Sequence, residues 1–232
     1  LVEIKGLEKF SSRDFPGHIS STVFLGGCNF RCPYCHNSRL VLEPGGLQTI
    51  PMDIFLSYLD GRRGWLEGVC VSGGEPLLHD DLEELLRVIK DRGLLVKLDT
   101  NGSFPDALER LLGQGLVDWV AMDVKAPLER YREVTRSNVD MESIVRSADI
   151  LSGSSARVIF RTTFVPGLVG REDAIRIGEW LRGAGLFVVQ QFLPHDTIDP
   201  AFLQVKPYGR EELLAIAEAA RPFFREVRVE EA

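Results

Sequence analysis

The chain of 232 residues has no apolar run long enough to form a membrane-spanning helix, and no charged stretch followed by an apolar one opens it. A cytoplasmic protein without a membrane partner is expected. Positive charge is not in excess: 27 Lys and Arg stand against 34 Asp and Glu, a formal net charge of −7. A chain-wide basic footprint for nucleic acid is thereby excluded, although a local basic groove is not. Cysteine is scarce, with four in all, and in such a chain they read as metal or redox centres before disulfides. No low-complexity tract and no Pro/Gly/Ser-rich linker interrupts the sequence, so one domain is expected over 1–232.

What is present is a strand-like run followed by a helix-like run, several times over. Thr22–Leu25, Val69–Val71, Leu94–Leu98, Val117–Met122, Arg157–Val165 and Leu186–Leu193 are short apolar or β-branched runs, as strands are. Pro51–Leu59, Asp80–Arg92, Pro105–Leu112, Asp140–Leu151, Arg171–Arg182 and Arg210–Ala220 read as helices. The clearest is Asp80–Arg92, where Leu82, Leu85, Leu86 and Ile89 share a face. Asp81 and Glu84 have capping-box spacing there, and Gly93 suits a C-terminal stop. About six strand–helix units argue for an α/β fold with a parallel sheet. They are too few for an eightfold barrel, which leaves a partial barrel or an open doubly wound sheet. Residues 1–18 form a lead-in with no assigned element, 19–200 the alternating body, and 201–232 a C-terminal helix and tail. Polar punctuation follows nearly every strand, at Gly26–His36, Ser72–Glu75, Asp99–Gly102, Asp123–Lys125 and Pro194–Asp196. Parallel α/β folds place their active sites at that end, so a single functional face is expected.

The densest punctuation is Gly26-Gly27-Cys28-Asn29-Phe30-Arg31-Cys32-Pro33-Tyr34-Cys35-His36-Asn37, with cysteines spaced C-x3-C-x2-C. Iron–sulfur clusters are held by thiolates, normally four. Three thiolates leave one iron free to take a substrate or cofactor, as open metal sites do elsewhere. The alternative is a structural zinc site in a non-enzymatic module, which needs a fourth ligand. His36 is awkward because it adjoins Cys35. Cys70, between Val69 and Val71 in a predicted buried strand, reads better as a small hydrophobe.

Cysteines at this spacing, with Tyr34 before the last of them, resemble the signature of radical S-adenosylmethionine (SAM) enzymes. Ser72-Gly73-Gly74-Glu75-Pro76 after a strand resembles the same family's Gly-Gly-Glu motif, although alone it would be a plain turn. The resemblance implies a partial (β/α)6 barrel, mostly parallel, with one [4Fe–4S] cluster on Cys28, Cys32 and Cys35 whose open iron takes SAM. It places Tyr34 against the adenine, and Gly73, Gly74 and Glu75 at the amino group. Further segments narrow the likeness. Asp14-Phe15-Pro16-Gly17, Val96-Lys97-Leu98-Asp99-Thr100-Asn101-Gly102, Ala121-Met122-Asp123-Val124-Lys125, Phe160-Arg161-Thr162-Thr163 and Gln190-Gln191-Phe192 resemble glycyl radical enzyme activases. The nearest are those of anaerobic ribonucleoside-triphosphate reductase, with pyruvate formate-lyase activating enzyme more distant.

That likeness implies SAM contacts from Asp99, Asn101, Lys125, Arg161 and His195. It also implies a Na+ or K+ ion on Asp99, Thr100, Asp123 and a backbone carbonyl near Ala121. The other reading of the two aspartates is that they cap the following helices. Asp14-Phe15-Pro16-Gly17 is expected to do no more than position the cysteine loop. The implied partners are a glycyl radical enzyme, the large subunit of anaerobic ribonucleotide reductase foremost, and an electron donor of flavodoxin or ferredoxin type. The alternative is a radical SAM enzyme for a small nucleoside or pterin-like substrate.

Overall fold

In the computed structural model, which describes residues 2–231, eight strands form one sheet in strict chain order. They are β1 (Ile4–Ser11), β2 (Ser20–Leu25), β3 (Gly68–Gly73), β4 (Leu95–Thr100), β5 (Trp119–Asp123), β6 (Arg157–Phe164), β7 (Leu186–Gln191) and β8 (Glu226–Glu230). β1 is antiparallel to β2, and every later neighbour is parallel. β1 and β8 end the series and are not paired with each other, so the barrel is open.

Each of β2 to β7 is followed by helix: α1 (Ser38–Leu42) and α2 (Met52–Asp60), α3 (Leu82–Lys90), α4 (Pro105–Gly113), α5 (Tyr131–Thr135) and α6 (Met141–Ser152), α7 (Arg171–Trp180), and α8 (Arg210–Ala220). These are the six expected units of a partial (β/α)6 barrel. The pattern that forms them is visible in α3, whose Leu82, Leu85, Leu86 and Ile89 are all buried. Each such side chain contributes about 1.5–3 kcal/mol on leaving water. Gly93 ends that helix region at φ +73°, a conformation that favours glycine. Asp81 does stand at the N-cap, but its side chain makes no cap hydrogen bond, so the expected capping box is not formed.

Both ends of the chain hold strands that periodicity did not reveal. The lead-in contains β1, whose pairing with β2 carries two register shifts that blur the alternation. The tail contains β8, a five-residue strand in register with β7 from Leu186 to Gln190.

The segment Asp14-Phe15-Pro16-Gly17 requires a correction, because it lies at the opposite end of the barrel from the cysteine loop. Phe15 is fully buried and meets the Trp119 ring edge-on at 5.6 Å, where β5 begins. Gly68, the first residue of β3, is glycine for the same reason: a Cβ there would lie 2.7 Å from Phe15 Cε1. Phe15 is therefore a plug beneath the strands. Above it Ala121, Ile159 and Val188 form an apolar floor inside the sheet. The chemistry-bearing side chains lie above that floor.

Candidate active site at the C-terminal ends of the strands

The cysteine loop leaves β2 and crosses the ends of several other strands, which hold it by named hydrogen bonds. From β3 and the turn after it, the Gly74 N–H donates to Leu25 O at 2.9 Å and the Glu75 N–H to Gly27 O at 2.8 Å. The Asn37 side chain donates to Gly73 O at 3.0 Å. After β4, Asn101 Nδ2 donates to Asn29 Oδ1 at 2.9 Å. Near α5, the Arg31 N–H donates to Thr135 O at 2.9 Å. After β7, the Ile198 and Asp199 N–H groups donate to Cys35 O and Pro33 O at 3.2 and 2.9 Å. A loop with so many outside anchors has little conformational entropy left to lose on binding a ligand.

The two motif glycines serve this anchoring. Gly73 has φ +123°, and a Cβ on it would fall 2.3 Å from Leu25 O. A Cβ on Gly74 would fall 1.7 Å from Gly27 O. What approaches their backbone closely is the chain's own cysteine loop. Glu75 is fully buried and points inward. Its Oε1 accepts from the Leu77 N–H at 3.0 Å and Thr100 Oγ1 at 2.8 Å, and its Oε2 from the Asn101 N–H at 2.6 Å. Burial raises its pKa to about 7 in spite of these three donors, which oppose the rise. The carboxylate thus ties the end of β3 to the end of β4 from inside, a role the motif alone does not disclose.

Beneath the loop runs a ladder of alternating charge. Lys97 and Asp99 form an ion pair on one face of β4. Arg161 donates from Nη2 to Asp99 Oδ2 at 3.4 Å and from Nε to Asp123 Oδ1 at 2.7 Å. Lys125 Nζ donates to Asp123 Oδ2 at 3.0 Å. Burial alone would raise both aspartate pKa values, but Lys97 and Arg161 at Asp99, and Arg161 and Lys125 at Asp123, hold them below the ordinary carboxylate range.

The expected monovalent cation does not fit this arrangement. The Thr100 hydroxyl donates to Glu75 and accepts from the Gly102 N–H, and both aspartates already face protein cations. The mononuclear zinc reading, which needs a fourth ligand, fares no better. Its suggested fourth ligand Cys70 is fully buried within β3, 3.6 Å from Lys97 Nζ.

A four-iron cluster makes a different demand, because each thiolate binds a separate iron and the sulfurs need not converge. All three loop cysteines are free, Cys32 buried and Cys28 and Cys35 partly so. The Phe30 N–H donates to Cys28 Sγ at 3.4 Å. Burial pushes the thiol pKa of Cys28 up to about 11 and that of Cys32 to about 12, with Cys35 raised as well, while Lys125 acts on all three in the opposite sense. Ligation therefore displaces protons, as metal binding to thiols does. Tyr34 is buried with its hydroxyl lacking any hydrogen-bond partner, which leaves a donor for a bound group. The donor set and this orphaned hydroxyl fit a cluster with a ligand beside it.

The structure gathers Cys28, Cys32, Tyr34, Cys35, Gly73, Gly74, Glu75, Asp99, Thr100, Asn101, Asp123, Lys125 and Arg161 at one end of the strands. His195 is exposed on the loop after β7, the same loop that anchors the cysteines. Sequence reasoning missed Lys97, Asn29, Asn37 and Arg31. For Lys97 a signal existed, since a lysine two positions before a strand-end aspartate shares its face.

Fold and site together define a class: a partial barrel whose three-cysteine loop caps the strand ends. The sequence pattern of the Radical SAM superfamily matches residues 22–190, and the chain belongs to that superfamily. Within it, the chain is 33% identical over 231 residues to the Methanocaldococcus jannaschii protein called "putative glycyl-radical enzyme activating enzyme", covering 97% of this chain and 94% of that one. It is 31% identical over 210 residues to the pyruvate formate-lyase-activating enzyme of Streptococcus mutans, covering 84% and 78%. The protein is thus a radical SAM enzyme related to glycyl radical enzyme activases, a family that implies a [4Fe–4S] cluster and SAM. Among solved structures, Streptococcus suis SuiB bound to S-adenosylmethionine matches 89% of this chain and 48% of its own, with TM-score 0.65 and 13% identity. Archaeal TYW1 matches 94% and 75%, with TM-score 0.55 and 17% identity. These two share the fold. No helix among the described residues is long and apolar enough to cross a membrane.

Proposed function

We propose that this protein is an activase that removes one hydrogen atom from a backbone glycine of a large partner enzyme, the large subunit of an anaerobic ribonucleotide reductase foremost. The observation that carries the reading is the likeness to two activating enzymes across most of the chain, each at 31% identity or above. Glycine suits the reaction because its α-radical is delocalised along the backbone and no side chain blocks approach. When bound, a reduced [4Fe–4S] cluster supplies the electron that cleaves SAM to methionine and a 5′-deoxyadenosyl radical.

The chain's own residues bind, orient and shield. Cys28, Cys32 and Cys35 would hold the cluster. The Gly73-Gly74-Glu75 segment faces the amino group of SAM, with the buried Glu75 carboxylate keeping that backbone in place. Asp99 and Asn101 border the same end of the ligand. Lys125 and Arg161 carry positive charge toward its carboxylate. Tyr34 lies on the adenine side, and His195 approaches from the loop after β7. The electron comes from a donor of flavodoxin or ferredoxin type.

The test is anaerobic reconstitution followed by reduction with SAM present, then mixing with the glycyl radical enzyme encoded in the same genome. A glycyl radical signal by electron paramagnetic resonance is expected, in step with 5′-deoxyadenosine release. Release of 5′-deoxyadenosine with a small-molecule product and no protein radical would overturn the activase reading and leave a radical SAM enzyme of another substrate class.

A further inference from the structure

The charge ladder contains a group that the resemblance did not anticipate. Lys97 lies on β4, two residues before Asp99, with only 3% of its side chain exposed. Its Nζ donates to Asp99 Oδ1 and lies 3.6 Å from Cys70 Sγ. Burial alone would favour a neutral amine, but the neighbouring carboxylate outweighs it and keeps the ammonium charged. The other oxygen of Asp99 accepts from Ser72 Oγ at 3.3 Å and Arg161 Nη2 at 3.4 Å. Asp123 is filled on both oxygens by Arg161 and Lys125.

Lys97, Arg161 and Lys125 therefore face Asp99 and Asp123, and each carboxylate already has two protein cations against it. A dissolved cation added here would have to stand beside ammonium and guanidinium groups already paired with those carboxylates, in a region screened poorly by water.

We propose that the Lys97 ammonium is a built-in counter-ion occupying the place of a dissolved monovalent cation, so that ligand binding at this site is independent of sodium and potassium. Lys97 is on this view a positioning residue: it holds Asp99, and through it Arg161, in place. The inference concerns SAM as the ligand and so rests on the radical SAM reading. Its first test, however, needs neither cluster nor SAM.

Melting temperatures of the full-length protein would be compared in sodium, potassium, ammonium and tetramethylammonium chloride at equal ionic strength. The wild-type protein is expected to melt at one temperature in all four. Lys97→Met creates a vacancy of ammonium size beside Asp99, and its melting temperature should rise in ammonium or potassium relative to tetramethylammonium. Lys97→Arg keeps the charge and should stay indifferent.

Equilibrium dialysis of SAM against reconstituted protein gives the second readout. Lys97→Met should bind SAM about tenfold more weakly in tetramethylammonium, the order of effect a neighbouring charge has on an ionised group, and recover in potassium or ammonium. A wild-type protein that needs a small cation for stability or SAM binding overturns the proposal, as does a folded Lys97→Met whose SAM affinity is undiminished in every salt. If Lys97→Met does not fold, the wild-type comparison decides alone. Failure of every variant to bind SAM would sink the functional reading, while the melting series still judges Lys97.

Discussion

Gly74 and Gly27 lie so close that a Cβ on Gly74 would sit 1.7 Å from the Gly27 carbonyl oxygen. That contact joins the exit of β3 to the start of the cysteine loop, and the 2.8 Å hydrogen bond from the Glu75 N–H to the same oxygen fixes its register. Nothing on this path is a flexible side chain, so a methyl group is accommodated only by moving backbone.

Gly74→Ala is therefore expected to push the cysteine loop away from β3. Overpacking of this kind costs about 1–3 kcal/mol, and here the upper end applies. Urea denaturation should show the loss, and iron and sulfide per chain after reconstitution should fall well below wild type. Wild-type iron content in a stable Gly74→Ala protein would mean that the loop does not depend on this contact.

Glu75→Gln is expected to destabilise the fold by about 1–3 kcal/mol, although it is nearly isosteric. Both carboxylate oxygens accept from backbone N–H groups, Leu77 on one side and Asn101 on the other. An amide in either orientation sets its NH2 against one of them. The cost should depend on pH. The native pKa of Glu75 is raised by burial to about 7 from an ordinary value of 4.5. The native state thus binds the proton more tightly than the unfolded chain. The stability this contributes is complete below about pH 4.5 and is lost as pH rises through about 7. The difference between wild type and Glu75→Gln, measured by denaturation, should shrink across that interval.

Cys32→Ala removes one of the three thiols while leaving the strands, helices and core unchanged. Far-ultraviolet circular dichroism should match wild type, whereas visible absorption and acid-labile sulfide should disappear after reconstitution. Retained iron and sulfide in Cys32→Ala would exclude this residue as a ligand.

Arg161→Met withdraws the cation that both aspartates share. Lys97 and Lys125 remain, one on each carboxylate, so the loss is partial. Removing one partner of a buried ion pair costs about 3–5 kcal/mol, and at these partly exposed side chains about 3 kcal/mol or less is expected. Lys125→Met should cost less, because Asp123 keeps Arg161. The order of the two variants in urea denaturation checks the ladder as drawn.

Phe15→Ala tests the correction to the lead-in segment. Emptying a fully buried aromatic site costs about 3–5 kcal/mol. Since Phe15 is at the far end of the barrel, protein that remains folded in the cold should take up iron and sulfide as wild type does. A selective loss of iron with little loss of stability would return the segment to the cysteine loop.

Much of this was legible before any coordinates. The six strand–helix units followed from period and punctuation, because burying one face of each helix against a parallel sheet imposes those patterns on the residues in between. The cysteine spacing named the loop for a related reason: three thiols a few residues apart on one loop can reach one cluster without help from the rest of the fold. β1 and β8 escaped because an irregular edge strand and a five-residue strand carry too few alternations to stand above noise.

What the tertiary structure alone decided is how separate strand ends meet. Sequence placed Asp99 and Asp123 side by side and called for a dissolved cation between them. The fold supplies Lys97 from one strand, Arg161 from another and Lys125 from a third position, and the charge is met from within. It likewise turned Glu75 inward to Thr100 and Asn101, and sent Phe15 to the bottom of the barrel. Charge balance and burial depend on distances across strands far apart in the chain, and no local pattern encodes a distance of that kind.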